Sequence, residues 1–501
     1  MTGSLLLTGC STGNSTGRSY YISPSGNDDN DGTLLSPLRT LERVNRMILN
    51  HGDTILFEGG AVFTGTFYLD SIDSGDESGY VVISSYGHGK AILDGGNKEG
   101  MVIDNAEYFK ISNILVSGRG RKTGNTTDGI IIVTSDNFSL DDLEVFGFQH
   151  SGIHISGSRN AKLTRISTHD NGFAGISIDG KHLNDPVLYD NHNLYISDCK
   201  AYNNPGDPTN LNNHSGNGIL AASVDGGTIE YCEAFNNGWD MPWTGNGPVG
   251  IWVWDCNKVT IQYCMSHDNK TNPVAADGGG FDLDGGVSNS LIQYCLSWSN
   301  QGSGFGLFEF GAAKVWENNV LRYNISRNDG IRNGGSLSVW KGENGGTMRN
   351  CAIYNNTFYT DTARGISVWF TTAVKGFTLT NNIFLFSGSF LGANQKLSAE
   401  SFSSNCTFNL TGRGFGRISE TSVGILMNPK LEDPKKGILN DPRLLNESNL
   451  SGFLITEPQL RGAGDDPGSP FGFVNSYIGI TGTSLKHDNK IEIGSAGFGK
   501  R

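Results

Sequence analysis

The sequence predicts an all-β protein: a right-handed parallel β-helix of about ten or more coils with a short N-terminal capping helix. Three observations carry this. An apolar motif recurs every 23–33 residues, from KISNILVSG at 110–118 to LTNNIFLFS at 379–387. A second short alternating segment accompanies it, as in GISIDGK from 175, GIWVWDC from 250, GFDLDGG from 280 and GFGLFEF from 304. No helical period runs through residues 100–390. Short strands repeated at such a period cannot bury a face alone, so successive coils must stack, roughly 4.8 Å apart.

Composition agrees. Gly is 70 of 501 residues, about twice the usual share, with no collagen-like period. A net charge of −13 disfavours nucleic acid or an anionic membrane as a partner. No apolar run is long enough to span a bilayer. The chain divides into a lipoprotein signal and tether (1–18), an N-terminal cap (19–60), the β-helix (61–400) and C-terminal coils with a capping segment (401–501).

Taken in order, Leu7-Thr8-Gly9-Cys10 resembles a bacterial lipobox, and STGNSTGRS after it reads as a polar tether. That resemblance implies lipidation at Cys10. It places the protein in the bacterial cell envelope, as an outer-membrane lipoprotein or secreted or periplasmic, touching a membrane only through the anchor. Leu41, Val44 and Ile48 make one face of a short helix able to cover the open first coil. Within the rod, Cys199, Cys232, Cys264, Cys295 and Cys351 align with Asn324 and Asn382 as one inward column. Small apolar fillers suit it better than disulfides or a metal site. GNSTG at 13–17 and GNGPVG at 245–250 match catalytic and nucleotide motifs only by accident, since neither joins a strand to a helix.

In GFDLDGG the alternation turns Phe281 and Leu283 inward and Asp282 and Asp284 outward, on one face of one strand. The same positions in neighbouring repeats are Ser177 and Asp179, Leu220 and Ala222, Trp252 and Trp254, Gly306 and Phe308, Ser338 and Trp340, Ser367 and Trp369. Asp255, Glu309 and Lys341 follow just beyond. Acids within an aromatic track predict a polysaccharide groove with a cutting site at its centre. Asp282 and Asp284 are the expected catalytic pair, with Asp255 and Glu309 in reserve. Trp252, Trp254, Trp340, Trp369, Phe308, Asp179 and Lys341 are the expected substrate contacts. At ~6.5–7 Å between Cα atoms the pair leans towards inversion. His154 and His267 read as ordinary polar surface residues.

The opening from 20 to 65 and the tail, with NDPRLLNES and KIEIGSAGF, resemble secreted bacterial β-helix proteins of the pectate-lyase-like superfamily. That resemblance implies a carbohydrate-active enzyme. The carboxylate pair resembles that of iota-carrageenases, and polygalacturonases also use clustered aspartates. The function expected is a glycoside hydrolase acting as a monomer on a poly- or oligosaccharide, with no cofactor required. The alternatives are a non-catalytic glycan-binding lipoprotein and a polysaccharide lyase, for which Asp277, Asp282 and Asp284 would hold calcium. GGGFDLDGG is similar to the calcium stretch of family 9 pectate lyases, but Gly306 stands where their next coil carries the catalytic lysine. Three insertions, 182–193, 203–218 and 236–250, lie on the approach to the groove and would decide endo or exo action.

Overall fold

A computed structural model describes residues 17–183, 185–370, 374–392, 402–413, 424–435, 441–480, 482–487 and 490–496. Cys10 and its tether up to residue 16 lie outside the described residues. The chain winds as a parallel β-helix of eleven coils. One sheet takes one strand per coil: Phe67–Asp70, Met101–Asp104, Ile130–Val133, Ser151–Ser156, Ala174–Asp179, Asn217–Ala222, Val249–Trp254, Gly279–Leu283, Phe305–Glu309, Leu337–Lys341 and Val368–Phe370. The remaining rod strands form a 25-stranded sheet bent around the other sides.

Strand alternation fills the rod. Ile153, Ile176, Ile219, Ile251, Phe281, Phe305, Leu337 and Val368 stack in register from coil to coil. All are buried, and the Phe281 and Phe305 rings stack at 5.3 Å. Parallel stacking leaves no backbone edge inside, so polar turns must satisfy themselves between coils.

Two polar columns do this. The backbone N–H and side-chain amide of Asn171 both donate to Asn204 Oδ1, and the pattern repeats through Asn237, Asn269 and Asn300 to Asp329. Cys199, Cys232, Cys264 and Cys295 stack beside it, and that column continues as Asn324, Asn356, Asn382 and Asn405. Cys351 is not in it. It pairs with Asn319, and Asn356 takes the place expected for it. Matching on cysteine shifted that repeat by five residues, and the asparagine doublet at 355–356 was the better marker. Every described cysteine is an unpaired, buried thiol. Asn237→Ala would orphan both donors of Asn204 and is expected to cost about 2 kcal/mol, read as a lower denaturation midpoint.

The ends differ from expectation in detail. The N-terminal helix is one turn, Leu41–Val44, capped by Thr40. Leu41, Val44 and Leu49 are buried, whereas Ile48 is 64% exposed and packs on nothing in the core. The preceding strand Ser19–Ile22 already pairs with Thr54–Glu58, so the cap region contributes strands to the rod. At the other end the tail runs back along the flank. Leu450, Phe453, Leu454, Ile480 and Leu485 cover Tyr294, Trp298, Tyr323 and Tyr354, whose outward rings would otherwise face water.

Candidate active site

The eleven-stranded sheet carries a cavity of 720 Å³ over its seventh to eleventh coils. The floor is the strand Gly279–Leu283. With Phe281 and Leu283 in the core, Asp282 and Asp284 point out of the rod, as alternation requires. Asp282 does not meet open solvent, and Asp284 is half-buried. Asp282 is 2% exposed, and its Oδ1 has no hydrogen-bonding partner in the protein. Asp284 sits just past the strand, where its carboxylate accepts from the Gly285 N–H at 2.8 Å. Asp277 enters from the turn before the strand, in the left-handed region at φ 58°, and its Oδ2 accepts from the Gly247 N–H at 3.0 Å.

Gly306 lies beside Asp282 on the next coil. A Cβ there would come within 2.9 Å of Asp282 Oδ1 and 2.7 Å of the Phe308 ring. The missing side chain makes room for the carboxyl, and a lysine at this place would require the Asp282 carboxyl and the Phe308 ring to shift.

Burial raises all three carboxyls of the recess, and repulsion adds to it at Asp282 and Asp284. Burial drives the Asp282 carboxyl well above the ordinary range, and Asp284 and Asp277 push the same way. Burial takes Asp284 up to about 7, held back by the Gly285 N–H and pushed further by Asp277 and Glu309. Burial takes Asp277 to about 6, against the Gly247 N–H. The recess therefore holds a proton-bearing carboxylic acid near neutral pH.

Aromatic walls surround the floor. Trp254 meets Phe310 edge to face at 5.9 Å, and Phe308 meets Trp340 at 6.4 Å. Trp369 also lines the cavity, with the Arg364 guanidinium over its ring at 5.2 Å. The register corrects the expected row: Trp369 pairs with Ser338 and so stands in line with Asp282 and Trp252, while Trp340 stands in line with Phe308.

The upstream track is covered. Leu220, Ala222 and Trp252 are buried, and Trp252 packs with Leu220 and Val249. His214, from the 203–218 insertion, stands edge-on to Trp252 at 5.1 Å. Asn217 fixes this wall. Its Oδ1 accepts from Trp252 Nε1 and its amide donates to the Phe173 carbonyl, so the same amide donates to His214 Nδ1 at 3.0 Å. That leaves the imidazole proton on Nε2. Burial depresses the imidazole to about 4, so the ring is neutral at physiological pH.

Several expected site residues lie elsewhere. Asp255 is fully buried behind the sheet, in an ion pair with Lys314 at 2.8 and 2.9 Å. Glu309 is buried as a turn organiser, accepting from the N–H groups of Gly286, Gly311 and Ala312. Both fall one residue out of step with the outward positions, so alternation itself takes them off the row: Glu309 follows Phe308 as the last residue of its strand, and Asp255 follows Trp254 in the left-handed region at φ 53°. Lys341 does not line the cavity. Asp179 belongs three coils upstream of the floor, where Asp179 and Asp128 flank His154 at 3.1 and 3.6 Å. Burial opposes the charge there, but the two carboxylates raise His154 to about 10, so it is a half-buried cation held between two acids and not an ordinary surface residue. His267 is likewise enclosed, between the rings of Phe235 and Trp298.

Strand alternation did not reveal the wall residues Asn213, His214, Asn246, Ser303 and Asn333. The length of the 203–218 and 236–250 insertions was the signal for Asn213, His214 and Asn246; Ser303 and Asn333, in shorter turns, had none. The third insertion, 182–193, does not reach the cavity; its Tyr189 ring lies under Lys314 Nζ at 4.6 Å.

Comparison with known proteins places this geometry. The family model "Pel9A-like, right handed beta helix region" matches residues 20–335. A pectate lyase, PEL9 of Emericella nidulans, is 25% identical over 331 residues, covering 60% of this chain and 74% of that one. Among solved structures, a GH136 lacto-N-biosidase from Eubacterium ramulus superposes with a TM-score of 0.51 at 18% identity over 72% of this chain. The match spans 65% of that protein's chain, less than two thirds of it. Pectate lyase Pel9A superposes with a TM-score of 0.47 at 16% identity, covering 97% and 98% of the two chains.

Proposed function

Since the chain belongs to the Pel9A-like right-handed β-helix family, we propose that it is a carbohydrate-active enzyme, and specifically a glycoside hydrolase working through the carboxyls of Asp282 and Asp284. The observation that carries this reading is the buried Asp282 carboxyl, with an unpartnered Oδ1, on a cavity floor shared with two further carboxyls. Asp282, the drier group, keeps its proton and donates it to the leaving glycosidic oxygen. Asp284, more open to the cavity, takes a proton from the water that attacks the anomeric carbon. The C–O bond breaks, the departing sugar leaves as an alcohol, and the proton on Asp284 returns the site to its starting state by exchange with solvent. Trp254, Phe308, Trp340 and Trp369 offer flat faces to the apolar faces of sugar rings.

The family's lyases favour the alternative of β-elimination. That chemistry needs a basic side chain and a cation to neutralise the uronate. Neither Lys nor Arg lines the cavity. Asp277, Asp282 and Asp284, with the unpartnered Asp282 Oδ1 among them, are the oxygen donors that would hold calcium if it bound, although among the described residues no group of three or more His, Cys, Asp or Glu is already arranged as a metal site.

Product analysis on a glycan panel tests the reading. New reducing ends without a 4,5-unsaturated chromophore are the expected result. Unsaturated products, or cleavage lost on adding chelator, would replace it with the lyase. Anchoring to the envelope through Cys10 remains part of the proposal and is checked by metabolic labelling with a fatty-acid analogue.

A further inference from the structure

We infer that the cavity receives the end of an uncharged glycan chain, not the interior of a polyuronate; this rests on the hydrolase reading and refines it.

The first support is the closed track. For a chain to run through along the rod, the outward row upstream of Asp282 would have to be open. It holds Trp252, Leu220 and Ser177, all 4% exposed or less. His214 stands against Trp252 and the Asn217 network holds it there. A sugar chain bound over Asp282 therefore meets a wall on that side. A cavity of 720 Å³ falls within the roughly 300–1,000 Å³ that encloses a small ligand on most of its surface. That suits a short terminal unit better than a long chain lying in a furrow.

The second support is charge. The floor presents Asp277, Asp282 and Asp284; burial raises all three, Asp277 raises both of the others, and Asp284 raises Asp282. His214 is neutral. The cation behind the wall, Arg364, donates to the carbonyls of Gly330 and Gly334 and covers Trp369. A uronate bound here would bring a fourth carboxyl into a buried acidic recess with no lining Lys or Arg to meet it.

The third support is the kind of polar group present. Asn213, Asn246, Asn333, Ser303 and Ser338 line the cavity, and all are neutral amides or hydroxyls. Trp243 donates to Asn246 Oδ1 and Asn246 donates to Asn213 Oδ1, so these amides are held in fixed orientations. Ser303 and Ser338 share a hydrogen bond of 2.6 Å. Such groups pair with sugar hydroxyls and amides, and they reward a ligand that fills them while penalising one that cannot.

The experiment uses the wild-type chain on matched pairs, such as a galactan and a polygalacturonate, together with N-acetylated neutral oligosaccharides. Products are sized by chromatography over time. Expected is cleavage of an uncharged member at least ~10²-fold faster than its acidic counterpart, with one short product of constant size from the first time point. A spread of product sizes from the start, or faster cleavage of the polyuronate without unsaturated ends, would overturn the inference and leave the hydrolase reading standing. Unsaturated ends would overturn the hydrolase reading itself. A printed glycan array probed with the silenced Asp284→Asn variant gives an independent readout. Binding to uncharged glycans supports the inference, and binding to acidic glycans alone, or to no uncharged glycan, overturns it.

Discussion

Asp282→Asn and Asp284→Asn are each expected to lower kcat/KM by about 10³-fold or more, because each removes one of two proton-transfer groups that act as a unit. The same variants are expected to be more stable than the wild type at pH 8, Asp284→Asn by about 1–3 kcal/mol. The direction follows from proton binding. The folded Asp284 carboxyl titrates at about 7 because it is buried, while in the unfolded chain it titrates near ~4. Between those values the folded protein holds a proton that the unfolded chain has released. Stability therefore falls as pH rises from about 4 to about 7, and the deficit is fully present above that. Asparagine removes the deficit, so wild type and variant converge at pH 4 and separate at pH 8. A purely structural carboxylate would behave in the opposite way: removing it would destabilise the fold.

Activity follows the same protons. A hydrolase that donates from Asp282 loses kcat/KM as pH rises through the upper titration of the cluster, whereas an enzyme using a lysine or arginine base gains rate towards alkaline pH. Asp277→Asn removes a charge that raises both neighbours, so the falling limb is expected to move to lower pH with turnover retained. Abolished turnover would instead place Asp277 within the catalytic pair. Denaturation curves and a pH–rate profile of the three variants read all of this together.

Lys314→Met is expected to destabilise the protein by about 3–5 kcal/mol at neutral pH, the cost of leaving a buried charge without its partner. Lys314 is 4% exposed and Asp255 is 0% exposed, and the ammonium lies within 2.9 Å of both carboxylate oxygens. Burial pushes the Asp255 carboxyl up to about 6 even with the ammonium beside it. Without Lys314 it protonates more readily still, so the loss should shrink at acid pH. Asp255→Asn combined with Lys314→Met should recover most of the stability, since asparagine suits the left-handed backbone there at φ 53°. Neither residue lines the cavity, so the double variant should turn over like wild type. A folded but inactive double variant would return Asp255 to the catalytic group.

The sequence by itself determined the coiled fold, the inward columns and the outward direction of Asp282 and Asp284. Each follows from strand alternation, a local rule with a period of two residues, repeated often enough to make stacking the only way to bury it. Local pattern also showed Gly306 standing beside the acids. Alternation also takes Asp255 and Glu309 off the row, one residue past Trp254 and Phe308; what it could not show is which partners they find, Lys314 for Asp255 and three loop N–H groups for Glu309. Nor could it show that Trp369 aligns with Ser338, or that Asn356 and not Cys351 continues the inner column. Register between coils is set by contacts across some thirty residues of intervening chain, and loop length shifts it without changing the pattern on either side. Tertiary structure alone decided that the expected furrow is a closed recess. His214 from the 203–218 insertion stands against Trp252, and the Asp282 carboxyl on the neighbouring coil is 2% exposed; that burial is what lets an acid in the row carry a proton.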